Sequence, residues 1–361
     1  MSVSINTKKL QEMLSRASKG VGNNKLIPIT SLVCVEVKDN ILTLITTDAT
    51  NYLYIKDIVD TDDFYAVIDA DKFTKLVSKM TCENVTLSMS DMGYVKVKGN
   101  GNYKIELPVD EDGKAIRYPN PIESFENADD AGQFKKSHIQ VILDSIQPSL
   151  AVTLEDPCYT GYYMHDKIVA TDTYKIASMS TEMFHTPKLV SREFVNLLAV
   201  MTAENITWEI SGDVIVASTD DCVIYGRFME GIEDFSIGPI TGLIDSDFES
   251  SCEVPKDALL QLLSRLALFV DKYDKNSIYL TFTNVGLQIS SKSATGVEII
   301  PYIESDNFKD YTCTIDIQMF MDEVKAIQSD TIELYYGDES DSAIKLKDGN
   351  ITIIVALMED E

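Results

Sequence analysis

Catalytic equipment is what this chain of 361 residues most clearly lacks. Its three histidines, His138, His165 and His185, stand apart, with no His-Glu-x-x-His and no Cys/His cluster at metal spacing, so no metal centre is expected. There is no Gly-x-x-x-x-Gly-Lys-Ser/Thr, no Gly-x-Gly-x-x-Gly after a strand and no Gly-x-Ser-x-Gly, which removes the common phosphate cradles, dinucleotide sites and nucleophile elbows. Carboxylate pairs such as Asp62-Asp63 and Asp220-Asp221 must arise by chance among 58 acidic residues, and they read as turns. The six cysteines (Cys34, Cys82, Cys158, Cys222, Cys252, Cys313) are far apart and form no Cys-x-x-Cys, which points to buried reduced thiols. No apolar run reaches bilayer length, and the start, Met-Ser-Val-Ser-Ile-Asn, has neither a basic segment nor an apolar signal core. The expectation is a soluble cytoplasmic protein that is not an enzyme, needs no cofactor and meets no membrane.

What the chain does have is repetition. The segments starting Phe73-Thr-Lys-Leu-Val-Ser-Lys-Met, Phe194-Val-Asn-Leu-Leu-Ala-Val-Met and Phe320-Met-Asp-Glu-Val-Lys-Ala-Ile each run as an amphipathic helix, a short polar break and alternating strands. Their phenylalanines are 121 and 126 residues apart, about one small domain. A second triplet, Val3 to Lys19, Gln133 to Gln147 and Cys252 to Val270, reads as strand then helix. Leu10, Met13, Leu14 and Ala17 fall on one face, as do Leu259, Leu263, Leu266 and Phe269. Hairpins follow around Asp39-Asn40, His165-Asp166 and Thr283-Asn284. Polar, Gly- and Pro-containing stretches after Val109 and after Gly238 mark linkers. The fold class is α+β: three similar tandem domains, 1–126, 127–248 and 249–361, each with two helices packed on antiparallel sheet.

Charge is unevenly spread. The net charge is −27, yet the six predicted helices (7–20, 71–80, 135–147, 187–201, 255–270, 316–328) carry +6, which leaves −33 elsewhere. Solvated helix faces would account for such cations. Recurrence at equivalent places also fits a basic track for phosphates within an acidic body. The sixth helix breaks the rule, with Asp316, Asp322 and Glu323 against Lys325.

Three stretches resemble one family. Leu26-Ile-Pro-Ile-Thr-Ser-Leu-Val looks like the Leu-Pro-Ile-Leu segment of the bacterial DNA polymerase III beta subunit, the sliding clamp. Ala170-Thr-Asp-Thr-Tyr-Lys-Ile-Ala resembles that family's Ala-Thr-Asp-Gly-His-Arg-Leu-Ala, and it is the most specific of the three. Leu259-Leu-Gln-Leu-Leu-Ser-Arg-Leu-Ala-Leu-Phe, followed by Leu280-Thr-Phe-Thr-Asn-Val-Gly-Leu-Gln-Ile-Ser, matches the family's opening helix and hairpin in order. The resemblance covers the whole length. It implies a head-to-tail homodimer whose six domains close a ring around duplex DNA, helices inward and sheet outward, as a processivity factor for a DNA polymerase placed by a clamp loader. DNA-facing candidates are Lys8, Lys9, Arg16, Lys25, Lys72, Lys75, Lys79, Lys136, Lys188, Arg192 and Arg265. The dimer interface would set Tyr103 and Ile105 on an edge strand against Leu268 and Phe269.

The resemblance also implies a hydrophobic pocket for a short partner peptide, one with glutamine, then leucine and a terminal aromatic. Carried over by position, its walls are Tyr159, Thr171, Thr173, Tyr174, Lys175 and Ile176, with Ile237 and Pro239 from the linker and Ile353, Val355, Ala356, Leu357 and Met358 from the last strand. Thr173, Tyr174 and Lys175 stand where the family has glycine, histidine and arginine, and the chain ends Leu357-Met-Glu-Asp-Glu where the family prefers methionine, proline and a basic residue. This drift fits a diverged member, bacterial or phage-encoded, with its own peptide preference. Two other readings make different demands. A three-domain structural scaffold would show no shared basic surface and no pocket, and an acidic hydrolase would need carboxylates converging in a cleft.

Overall fold

The computed structural model describes residues 2–90, 92–110, 112–153, 155–270, 276–293, 295–338 and 342–359. From the N-terminus come β1 (Ser2–Asn6), α1 (Thr7–Ala17), β2 (Leu32–Lys38), β3 (Ile41–Thr47), β4 (Tyr52–Ile58), β5 (Phe64–Asp69), α2 (Ala70–Ser78), β6 (Asn84–Ser90), β7 (Tyr94–Lys98) and β8 (Asn102–Glu106). The same order returns as β9 (Asp130–Lys135), α3 (Lys136–Val141), β10 (Gly161–Met164), β11 (Ile168–Thr171), β12 (Lys175–Met179), β13 (Lys188–Ser191), α4 (Arg192–Leu198), β14 (Asn205–Ser211), β15 (Val214–Ser218) and β16 (Cys222–Arg227). After the short helix α5 (Ile237–Ile244) it returns once more as β17 (Phe248–Pro255), α6 (Lys256–Leu266), β18 (Ser277–Thr283), β19 (Gly286–Ser291), β20 (Val297–Ile300), β21 (Glu304–Asp306), β22 (Tyr311–Asp316), α7 (Ile317–Ala326), β23 (Thr331–Asp338), β24 (Ala343–Asp348) and β25 (Ile351–Ala356). Among the described residues, the three-residue β21 is the one strand without a counterpart.

Local chemistry fixes the helix starts. Asn6, Asp69 and Asp316, each the last residue of a strand, accept hydrogen bonds from the backbone N–H groups of Lys9, Lys72 and Met319, so strand end and helix cap are one side chain. The buried stripe of α1 is Thr7, Leu10, Met13, Leu14 and Ala17, which contains the face read from the sequence. In α6 the stripe is Leu259, Leu262, Leu263 and Leu266, while Phe269, expected on it, is 53% exposed on the 3-10 turn that follows.

Two helix boundaries differ from expectation. Residues 188–191 form the edge strand β13, paired with β10 from Gly161↔Ser191 to Met164↔Lys188, and the helix covers only 192–198. Leu189 and Val190 are buried by that pairing, and an open sheet edge outweighs a weak helical preference. The segment expected as helix 135–147 starts one residue later as α3, widens into a π-helical turn at Ile142–Ile146 and tightens to a 3-10 turn at Gln147–Ser149, where Pro148 ends it. The second linker is not an open loop: Ile237, Ile240 and Ile244 at helical spacing form α5. The six recurring helices, with the turns that extend them, hold eleven basic against seven acidic residues, so the excess is smaller than the sequence suggested.

The chain folds as two compact units. The first, Met1–Ile139 with Glu193–Phe228, contains a four-stranded sheet, β1-β6-β7-β8, and an eight-stranded one, β5-β2-β3-β4-β16-β15-β14-β9. In it α1 and α2 pack on each other, and the linker lies on the larger sheet. Tyr118 is buried there with Leu32, Tyr54 and Val223, its hydroxyl donating to Leu32 O at 3.2 Å. The second unit, Gln140–Arg192 with Met229–Glu361, contains a nine-stranded sheet, β13-β10-β11-β12-β25-β24-β23-β17-β21, and a four-stranded one, β20-β19-β18-β22, with α6 against α7. All pairings among the described residues are antiparallel. The six cysteines are free, five of them buried, and burial is the main cause that pushes the Cys34, Cys222 and Cys252 thiols up to about 12.

One turn is built twice. Thr47 donates to Asn51 O and accepts from Ala49 N–H, while Asp48 accepts from the N–H groups of Thr50 and Asn51. Thr171 likewise donates to Lys175 O and accepts from Thr173 N–H, and Asp172 accepts from Tyr174 and Lys175. The Thr-Asp of the octapeptide is therefore a turn former, and its central residue is left-handed, with φ 89° at Ala49 and 78° at Thr173. Such a φ is costly for a residue with a Cβ, most of all a β-branched one. Ala49→Gly and Thr173→Gly should each stabilise the protein by about 0.5–1 kcal/mol. Denaturant titration that finds Thr173→Gly no more stable than the parent would rule out strain at this turn.

Candidate partner groove and basic helix faces

The groove begins where β12 meets β25. Their register, Lys175↔Val355, Ile176↔Ile354 and Ala177↔Ile353, divides the side chains between two faces because successive residues point opposite ways. Ile176 and Ile354 share one face with Cys158, Tyr163, Phe235, Ile240 and Ala343, and Tyr159, Ile237 and Ile244 lie half-buried against them. The Tyr159 and Phe235 rings meet edge to face at 5.2 Å, and Tyr163 stacks on Phe235 at 5.5 Å. Lys175 and Val355 point the other way, toward α7. Val355 and Ile353 are fully buried on the α7 side, and Ile354, not anticipated, is 3% exposed in the apolar strip of the other face. Thr171 is 2% exposed and engaged in its turn, Thr173 and Tyr174 are exposed, and Pro239 is exposed on α5.

A recess of about 290 Å³ adjoins this strip, lined by Tyr174, Asp316, Met319, Ala356, Leu357, Met358 and Glu359. The last strand is held there by Ala356 N–H donating to Tyr174 O, Leu357 N–H to Ser342 O and Met358 N–H to Thr314 O, at 2.8–2.9 Å. The anticipated Tyr174, Ala356, Leu357 and Met358 thus come together. Asp316 and Met319 were legible only as a helix cap and a helix position, since nothing in the sequence ties the start of α7 to the chain end.

Lys175 does not reach the recess as a free cation. Its ammonium lies 2.9 Å from Glu323 Oε1 and donates to Pro148 O at 2.5 Å, and Ser149 Oγ donates to Glu323 Oε2 at 3.0 Å. Glu323 is fully buried on α7. Burial pushes its carboxyl above the usual range, against the downward pull of the Lys175 charge and the Ser149 hydroxyl.

The basic candidates fall into two groups. Lys9 pairs with Asp57 at 2.7 Å and also donates to Ile58 O; Arg16 pairs with Asp221 at 2.7 Å, Lys75 with Asp71 at 2.9 Å and Arg265 with Glu298. Burial raises the Asp221 carboxyl, but hydrogen bonds from Arg16 and Thr219 outweigh it and hold the group below the usual range. Arg192 is half-buried and donates to Ala151 O at 3.3 Å, Lys136 is half-buried beside Thr202 O, and Lys188 sits on a strand instead of a helix. Lys8, Lys72 and Lys79 are exposed on or beside α1 and α2, with Lys19 just past α1, and Lys25 is exposed in a loop. Of the interface candidates, Tyr103 is exposed on the edge strand β8, while Ile105 is 2% exposed and points into the core. Leu268 and Phe269 are 81% and 53% exposed.

Breaking the buried Lys175–Glu323 pair from one side should be far worse than removing it whole. Lys175→Met or Glu323→Val alone should destabilise by about 3 kcal/mol, because each leaves one buried charge uncompensated, and the double variant should recover most of that. Additive losses in the double-mutant cycle would mean that the two side chains do not act as a pair.

Comparison with known proteins agrees with the topology. Residues 1–114 match the family described as DNA polymerase III beta subunit, N-terminal domain. The chain is 23% identical over 373 residues to the beta sliding clamp of Rickettsia bellii (strain RML369-C), covering 94% of each. It superposes over 100% of both chains on the DNA polymerase sliding clamp of Bacillus subtilis (TM-score 0.85, 14% identity) and on the beta subunit from DNA polymerase of Streptococcus pyogenes (TM-score 0.86, 16% identity). Residues 1–114 thus match the N-terminal domain of the DNA polymerase III beta subunit family, and the whole chain, with its threefold element order, has the fold of the bacterial sliding clamps.

Proposed function

We propose that two copies of this chain join head to tail into a ring that encircles duplex DNA and tethers a replicative polymerase through the groove beside β12 and β25. One observation carries the reading. In the threefold order β4, β12 and β20 are equivalent, and so are β8, β16 and β25. Within the chain β16 pairs with β4, and β25 with β12. The third junction of the set, β8 with β20, is missing, and both strands are open edges of four-stranded sheets. A second copy supplies each with its partner. The three repeats 1–126, 127–248 and 249–361 then become the six segments of a ring.

The chemistry of these edges supports the pairing. An open edge presents unpaired backbone N–H and C=O groups and is ready to add a strand. β20 carries the half-exposed Val297 and Ile299, and the exposed Phe269 lies beside Gly296 just before it. Following the two existing junctions, β20 would run antiparallel to β8 with Val297 opposite Tyr103 or Lys104. Val297 and Ile299 join Leu268 and Phe269 as interface residues, and Ile105 supports the strand from within.

Contact with DNA in such a ring is electrostatic and blind to sequence, as sliding requires. The exposed Lys8, Lys19, Lys72 and Lys79 are the best candidates for it, since Lys9, Arg16, Lys75 and Arg265 already have carboxylate partners. The chain would act without catalysing a reaction, in the cytoplasm where DNA is copied, loaded by a clamp loader. No helix among the described residues is long and apolar enough to cross a membrane.

Light scattering should find a dimer at micromolar concentration, and Leu268→Asp with Ile299→Asp should give folded monomers. Linking Tyr103→Cys to Val297→Cys with a bis-maleimide in the presence of nicked plasmid should leave protein on the circle through a high-salt column, and cutting the plasmid should release it. A monomeric parent, or retention that survives linearisation, would overturn the ring and favour the scaffold reading.

A further inference from the structure

The rim of the groove has one sign. The recess at the chain end is bordered by the carboxylates of Asp316 and Glu359. A second cleft, lined by Asp156, Pro157, Cys158, Glu230, Gly231, Glu233 and Asp234, adds four more. Cys158 ties the second cleft to the apolar strip, and the paired Tyr174 and Ala356, each two residues from its Ile176 and Ile354, tie the recess to it along β12 and β25. Neither lining contains a lysine or arginine. Two nearby cations are engaged elsewhere, Lys175 with Glu323 and Pro148 O, and Arg192 with Ala151 O. Asp316 also uses one carboxylate oxygen to cap α7.

Resting on the reading of this groove as a peptide site, we propose that its partner segment carries lysine or arginine beside the apolar anchors. The anchors fill the recess by Met319, Leu357 and Met358 and lie along Tyr159, Ile176 and Ile237. The basic flank faces Asp316 and Glu359 at one end and Glu230, Glu233 and Asp234 at the other. Rim charges of this kind chiefly raise the association rate and reject partners of the wrong sign, and their effect falls with salt. An acidic flank would meet six like charges.

The test uses the full-length chain and three fluorescent peptides followed by anisotropy: one with glutamine, leucine and a terminal aromatic flanked by lysines, the same anchors flanked by aspartates, and a lysine-flanked control with its anchors replaced by serine. At about 50 mM salt the basic peptide should bind about tenfold more tightly than the acidic one, and the gap should close at about 200 mM. Glu233→Lys with Glu359→Lys, both at exposed positions, should narrow the preference and leave stability unchanged. Equal affinity for both anchored peptides, or tighter binding of the acidic one, overturns the charge rule while leaving the groove in place. Equal binding of the serine control overturns it too, since attraction without anchors is not recognition. Failure of every peptide to bind removes the groove reading itself.

Discussion

Edge-to-edge pairing of antiparallel strands is the constraint on which the rest of this protein depends. Each repeat ends its two sheet halves in a strand with an open side, and the chain satisfies two such pairs internally, Leu53↔Ile224 at the centre of one and Ala177↔Ile353 of the other. The larger sheets of both units are products of those junctions. Proteins usually blunt an exposed edge with charge, proline or a bulge. Here β8 keeps Tyr103 exposed, and β20 alternates Val297 and Ile299 outward, which suits strands that the proposed dimer would cover.

The same junctions position the groove. Because β25 continues the sheet that β12 ends, the last strand and the Ala-Thr-Asp turn lie side by side, and the linker helix α5 covers the face that holds Ile176 and Ile354. A shift of one residue in the β12·β25 register would turn Ile176 inward and Lys175 outward onto that strip. The buried Lys175–Glu323 contact opposes such a slip, since it ties the inward-facing residue of β12 to α7. A charged pair is a poor source of net stability, and fixing register is the use for which a buried pair is best suited.

Much of the architecture was legible in the sequence because the signals were periodic and repeated. The apolar stripe of α1, the three hairpin turns and the threefold order could be read directly, as each depends on neighbours a few residues apart. What could not be read depends on pairing at a distance. Lys188-Leu-Val-Ser is ambiguous between strand and helix until β10 offers it an edge. Position carry-over gathered Ile353, Val355 and Ile105 as surface residues, but a strand shows alternate residues to opposite faces, and only the structure says which set is inside. Asp316 and Met319 join Tyr174 through the fold alone, and the partner of Lys175 lies 148 positions along the chain.

For an acidic protein to surround a polyanion, as proposed here, the distances must work in its favour, and screening makes this possible. At physiological ionic strength the Debye length is about 8 Å, so exposed carboxylates farther from a phosphate than that act on it weakly, while an exposed lysine within a few ångströms acts almost fully. The net charge of −27 is therefore a poor guide to the field at any one surface. What matters is the sign of the unpaired side chains facing the ligand. Around α1 and α2 three carboxylates are already engaged: Asp57 holds Lys9, Asp71 holds Lys75 and Asp221 holds Arg16, which leaves Glu12 against the exposed Lys8, Lys72 and Lys79. At the groove the opposite has happened, because Glu323 engages Lys175 and six carboxylates line the recesses. Local ion pairing thus gives one acidic chain two surfaces of opposite character, one suited to phosphates and one that rejects them. In the proposed ring, DNA at the helices would have no electrostatic reason to occupy the groove.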